Sequence, residues 1–258
     1  MTYDRPTEPS GVLGVLTDGF LLYRASIRSI FLPVFVLALI VGEVSVNWQS
    51  DTGVRYWIQW LVSWVVTIYM YGFIVASVHF VASSDPSGIR SSLGIALRRL
   101  PTIVVVYFLL MLAIFAGSML LSVPVVLLRL ASFFFAILAL AVSTALVGTA
   151  LFASLLLPIT EGYGPSDSLR EGYSLVRRHW VKTFVVIAIA ATVVTGLSSA
   201  NYQVTWFLMN QIDNRLVANI VSMLTFAAFN AVITPLGPCL LYGAYQDLRL
   251  RQDGVAPA

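Results

Sequence analysis

The chain offers little of what catalysis and cross-linking usually draw on: one cysteine, Cys239, two histidines, His79 and His179, and one lysine, Lys182, among 258 residues. A lone cysteine excludes an intramolecular disulfide, and inside an apolar stretch Cys239 reads as a small hydrophobe. Neither histidine belongs to a His-x-x-x-His or His-Glu-x-x-His pattern, so no transition-metal site is expected. No Walker-type glycine-rich phosphate loop is present, no nucleophile stands beside a base, and no cofactor is implied. Charge is scarce as well. Charged residues make up 10% and hydrophobic residues 59%, against about 25% charged in soluble domains, which excludes an ordinary water-soluble fold.

Long apolar runs are what is there. Each reaches twenty residues or more, the length of helix that crosses a hydrocarbon core about 30 Å thick. A transmembrane barrel would alternate apolar and polar residues over segments of about ten, whereas residues 101–128 are apolar at nearly every position. Six spans are expected, at 29–48, 56–82, 101–128, 130–157, 181–200 and 216–245. The first serves as the insertion signal, because no short basic stretch and cleavage site precede it. Residues 1–9, with two prolines, read as a disordered tail, 10–250 as a single membrane domain and 251–258 as a second tail.

A short pattern, Gly-apolar-x-Leu-x-Arg, occurs three times, each time ahead of an apolar pair of segments: Gly19 to Arg24, Gly94 to Arg99 and Gly172 to Arg177. The second copy is weaker, with Leu93 where the others have Asp18 and Glu171. Each copy lies in a basic amphipathic segment, which reads as a helix on the membrane surface. The expected fold is therefore an all-α integral membrane protein: six transmembrane helices plus three cytoplasmic interfacial amphipathic helices in a pseudo-threefold repeat, with units at 10–82, 87–157 and 165–245. Ser168 and Glu171 have the Ser-x-x-Glu spacing that caps a helix start. Stripes of small residues, Ala141, Ala145, Thr149, Ala153 and Ala188, Thr192, Gly196, Ala200, are expected to pack against other helices of the monomer, a homodimer seam being the alternative.

Basic residues are unevenly placed. Twelve of the fifteen lie before the first, third and fifth spans or after the sixth, and only Arg55, Arg129 and Arg215 lie on the other side. By the positive-inside rule both termini and all three amphipathic segments face the cytoplasm of a prokaryotic cell membrane.

Three stretches carry a resemblance. Asp-Gly-Phe-Leu-Leu-Tyr-Arg at 18–24, the run from Pro158 through Glu161-Gly162-Tyr163-Gly164-Pro165 to Trp180, and Tyr-Gly-Ala-Tyr-Gln-Asp-Leu-Arg at 242–249 resemble the membrane domain family found fused to some glycerophosphoryl diester phosphodiesterases, together with its stand-alone six-helix relatives of unknown function. The resemblance covers almost the whole chain and implies a six-helix membrane domain that is not itself the phosphodiesterase. The soluble catalytic barrel of the fused proteins is missing, and no metal-binding carboxylate cluster stands in for it.

Candidate functional residues fall into three groups. Nine basic side chains, Arg24, Arg28, Arg90, Arg98, Arg99, Arg170, Arg177, Arg178 and Lys182, form a collar suited to anionic lipid headgroups, each worth about 1 kcal/mol near an anionic leaflet. Glu43, an acid within an apolar stretch, costs about 2.5–3.5 kcal/mol at the bilayer centre; it either reaches the interface or pairs with Arg55 or Arg215, or it forms a proton, ion or substrate site. His79 either lines a cytoplasmic cavity or is a hydrogen-bonded packing residue, and His179 reads as interfacial. Pro235, Gly237 and Pro238 interrupt the sixth span, either exposing backbone to a cavity or forming a kink filled by neighbouring side chains. The expected function is non-enzymatic: organising anionic membrane lipid, or a partner membrane protein, through the basic segments. The alternative is a small transporter of an amphiphilic or lipid-like solute using Glu43 and the broken sixth helix. Nucleic acid is excluded as a partner because these charges are expected at headgroup level.

Overall fold

The computed structural model describes residues 3, 6–47, 53–84, 88–127 and 133–254, almost all of them helical and none in a strand. In order these are α1 (Val12–Asn47), α2 (Val54–Ala82), α3 (Gly88–Leu127), α4 (Phe133–Leu151), a 3-10 turn (Phe152–Leu155), α5 (Leu157–Thr160), α6 (Pro165–Arg177), α7 (Trp180–Gln211), α8 (Arg215–Ile233) and α9 (Leu236–Asp253). Six stretches among the described residues are long and apolar enough to cross a membrane, which supports a helical multi-pass membrane protein.

The boundary expected between the first amphipathic segment and the first span is absent. α1 continues through it for 36 residues, about 54 Å at 1.5 Å per residue. Nothing between Arg24 and Leu32 breaks a helix, and one face stays buried along the whole length: Val15, Gly19, Leu22, Ser26, Ile30, Val34, Ala38 and Gly42. A stripe repeating every three to four residues keeps the helix continuous across the junction and through Pro33. α3 likewise runs for 40 residues through Pro101. Only the third amphipathic segment is a helix of its own, α6, separated from α7 by Arg178 and His179. α6 also begins earlier than the Ser168 capping pattern predicts. Gly164 is its N-cap and Pro165 its first residue; the proline fixes φ for a first turn and lacks the N–H that would go unsatisfied there, and Ser168 is already inside the helix, its N–H donating to the Gly164 carbonyl.

The sixth span is two helices. Pro235 has no N–H for the Ala231 carbonyl, so α8 ends at Ile233 and α9 restarts at Leu236. α8, with 19 residues, is about 28 Å long, the thickness of a hydrocarbon core, while α9 ends in a polar segment that holds both chain ends together.

The core is densest around the last half of α2, where Phe73, Ile74, Val75 and Val78 have no exposed surface. α1, α3, α5 and α9 pack around it. In contrast, α7 beyond Ala190 is exposed on nearly every residue. The small-residue stripe of α4 passes from exposed Ala141 to buried Thr149 and Ala153, but that of α7, Ala188, Thr192, Gly196 and Ala200, is exposed throughout, and nothing lies within 4 Å of a Cβ built on Gly196. The expected packing of the α7 stripe within the monomer is therefore not found. At the far end of α2, Tyr56, Trp57 and Trp60 are exposed, as an interfacial aromatic belt requires.

Candidate functional site

The polar end of α9 organises the termini-bearing end of the molecule. The Asp247 carboxylate, on a residue 5% exposed, accepts hydrogen bonds from Lys182 Nζ at 2.6 Å, Arg251 Nε at 2.9 Å and the Ser10 N–H at 2.8 Å. Lys182 and Arg251 also donate to the Ser10 carbonyl, so one acid and two cations pin the N-terminal segment. Two residues on, Arg249 binds the Glu161 carboxylate through Nη2 at 2.5 and 2.6 Å and Glu171 through Nη1 at 2.9 Å. The Tyr245 hydroxyl donates to the same Glu161 carboxylate. Tyr3 donates to Gln246 at 3.0 Å, and His79 Nδ1 lies 2.8 Å from the Tyr242 hydroxyl, so His79 has a hydrogen-bonded place in the core.

Three acids face three bases in this network, which is neutral. Its acids are engaged by cations and its histidine by a phenol, an arrangement that holds helix ends together. Among the described residues no three of His, Cys, Asp and Glu gather as a metal site would need.

Arg99 and Lys182, two of the nine collar candidates, are committed elsewhere. Lys182 is taken by Asp247. Arg99 reaches from α3 to donate to the Gly162 carbonyl at 3.0 Å, clamping the turn between α5 and α6. Gly162 has φ +75°, and a Cβ there would lie 2.7 Å from Arg99 Nη2, so only glycine fits both the backbone and the clamp.

The motif glycines divide as the motif copies do. A Cβ on Gly19 would lie 2.8 Å from Leu240 Cα, and one on Gly172 would lie 2.7 Å from the Ser154 backbone nitrogen, while nothing lies within 4 Å at Gly94. The two strong copies are places where a helix touches another backbone; the weak copy is not.

At the broken sixth span the Tyr23 hydroxyl donates to the Val232 carbonyl at 3.0 Å. Restarting the helix leaves that carbonyl without its usual partner four residues on, and the tyrosine fills the position. Gly237 meets only Val194 at an ordinary 3.7 Å. The Glu43 side chain, and those of Arg55 and Arg215, lie outside the described residues.

Arg24, Arg28, Arg90, Arg98, Arg170, Arg177 and Arg178 are exposed and have no salt bridge among the described residues. In the strong motif copies an exposed aromatic precedes the arginine by four residues: Phe20 (55% exposed) before Arg24 and Tyr173 (53%) before Arg177. That spacing puts ring and guanidinium side by side on one helix face.

Two grooves flank Arg177. One, of about 180 Å³, is walled by Leu146, Thr149 and Ala150 of α4, by Tyr173 and Val176 of α6 and by Trp180. The other, of about 160 Å³, lies between the end of α6, with Ser174, Arg178 and His179, and the end of α9, with Leu248, Arg251 and Gln252. Comparison with protein-family models, curated proteins and solved structures finds no match to this chain.

Sequence reasoning did not single out Asp247, Glu161 or the α4 groove, and it read Glu171 as a motif and capping acid, not as an ion-pair partner. The one local signal for the first is Asp247 four residues before Arg251, an i,i+4 ion pair in the last turns of an apolar helix.

Proposed function

We propose that this chain is a non-enzymatic multi-pass protein of a prokaryotic cell membrane that organises anionic lipid through arginines at its cytoplasmic face, where both termini lie. The observation that carries this reading is the exposed aromatic and arginine pair, repeated at Phe20/Arg24 and Tyr173/Arg177. A ring that inserts at headgroup level beside an unpaired guanidinium suits an anionic interface. The engagement of Lys182, Arg249 and Arg251 by acids strengthens it, since among the described residues the seven exposed arginines have no salt bridge. The same observations support a repeat of amphipathic segments, strong in the first and third copies; kinship with the membrane domain family of the glycerophosphoryl diester phosphodiesterases is proposed on the sequence stretches at 18–24, 158–180 and 242–249 alone.

In this arrangement the hydrocarbon boundary crosses α1 near Arg28 and meets the break at Pro235. α8 is then the sixth span, and α9 joins α6 and the first turns of α1 and α3 in an interfacial layer.

Reconstitution in nanodiscs with and without phosphatidylglycerol tests the reading. A higher melting temperature with the anionic lipid, lost when the seven arginines are changed to glutamine, is the supporting outcome; identical stability in both lipids refutes it. The transporter alternative has less support at the sixth span, where Tyr23 fills the Val232 carbonyl. It rests on Glu43, and unchanged solute flux in Glu43→Gln liposomes would remove that residue from it.

A further inference from the structure

We infer that the two grooves meeting at Arg177 form one site for a single anionic phospholipid, with an acyl segment against α4 and the phosphate between Arg177 and Arg178. This deepens the lipid-organising reading and rests on it.

Three observations converge. Arg177 lines both grooves, so one ligand held by its guanidinium has an apolar channel on one side and a cationic cleft on the other, the layout of a phospholipid at its glycerol. The cleft is short of negative charge. Glu171 is taken by Arg249 and Asp247 by Lys182 and Arg251, which leaves Arg177 and Arg178 without an acid among the described residues. Finally, Thr149, on the wall of the apolar groove and 2% exposed, has a hydroxyl with no hydrogen-bond partner. A helical threonine ordinarily bonds the carbonyl four residues back, and a buried hydroxyl left alone is costly. That hydroxyl is enclosed as the wall stands, and the site assigns it a lipid ester oxygen as acceptor once the side chain turns toward the groove.

Size decides what enters. At about 180 Å³ the apolar groove is smaller than the roughly 300–1,000 Å³ of pockets that enclose a whole small molecule. It suits one chain segment, with the rest of the lipid lying in the bilayer.

Native mass spectrometry of the full chain in detergent, titrated with phosphatidylglycerol, matched phosphatidylcholine, glycerophosphoglycerol and inorganic phosphate, tests the site. One tightly held phosphatidylglycerol per chain is expected. Arg177→Gln should weaken it about five-fold, and Arg24→Gln should leave it unchanged. Ala150→Phe, which fills the apolar groove, should abolish it while weaker anionic lipids are retained. Thr149→Val keeps the volume and removes the hydroxyl: a merely structural threonine predicts undiminished lipid retention, whereas the site predicts a loss of several-fold. Wild-type retention in both Ala150→Phe and Thr149→Val overturns the groove, and if every arginine then contributes equally the broader lipid reading survives alone. Phosphate or glycerophosphoglycerol displacing the lipid at equal concentration shows a free-anion site and also overturns it. Equal retention of phosphatidylcholine and phosphatidylglycerol in all variants defeats both readings.

Discussion

Gly19 and Gly243 oppose each other where α1 crosses α9: a Cβ on Gly243 would lie 3.2 Å from Gly19 Cα and 3.0 Å from the Val15 carbonyl oxygen. Here close backbone approach and van der Waals contact supply much of the attraction between the two helices. Gly19→Ala should therefore destabilise the protein by about 1–3 kcal/mol, the usual cost of overpacking. Gly94→Ala, with open space at its Cβ, should be neutral or stabilising by up to about 1 kcal/mol, since alanine is the better helix former. Thermal melts of both variants in one detergent make the comparison, and equal effects would show that the crossing is not close-packed.

The clamp on the N-terminal segment gives a second expectation. Asp247→Asn removes the charge that holds Lys182, Arg251 and Ser10. Breaking a fully buried pair costs about 3–5 kcal/mol, and the cost here should be smaller because Lys182 keeps 20% and Arg251 26% of their side-chain surface exposed. Hydrogen exchange should rise at the Ser10 amide and leave the α2 core unchanged. Unaltered protection at Ser10 would mean that the ion pairs do not fix that segment.

At the helix break, Tyr23→Phe deletes one hydrogen bond and leaves the Val232 carbonyl bare. The expected loss is about 1 kcal/mol. If Tyr23→Phe matches wild type in chemical unfolding, some other group serves that carbonyl.

The turn before α6 should tolerate no side chain. Gly162→Ala forces a left-handed residue against Arg99, at a cost of about 1–3 kcal/mol, and Arg99→Ala relieves the collision and not the strain. The double variant should thus recover part of the loss in a mutant cycle; strict additivity would argue against contact between the two residues.

How far the sequence reached depends on which signals are local. Apolar runs and the Pro235 break are local, and the helices and the split sixth span follow from them. The continuity of α1 was not legible, because residues 25–32 suit an amphipathic segment, a span or one uninterrupted helix equally well. α6 stands apart because Gly162 and Pro165 mark its start. The ion-pair network was hidden for another reason. Lys182 and Asp247 are 65 residues apart, and Arg249 lies 88 and 78 residues from Glu161 and Glu171. Each of these residues looks alone like one more charge at a membrane surface. The stretches at 158–180 and 242–249 that carry the family resemblance supply both sides of the Arg249 part of that network, with Glu161 and Glu171 on one and Arg249 on the other.

Lipid selectivity measured with spin-labelled lipids in reconstituted bilayers tests the central claim most directly. The fraction of motionally restricted lipid should be clearly higher for phosphatidylglycerol than for phosphatidylcholine, should fall as salt is raised, and should become equal for the two lipids when Arg24, Arg28, Arg90, Arg98, Arg170, Arg177 and Arg178 are changed to glutamine. Equal restriction of both lipids by the wild-type protein, or a preference that survives the seven substitutions, contradicts it.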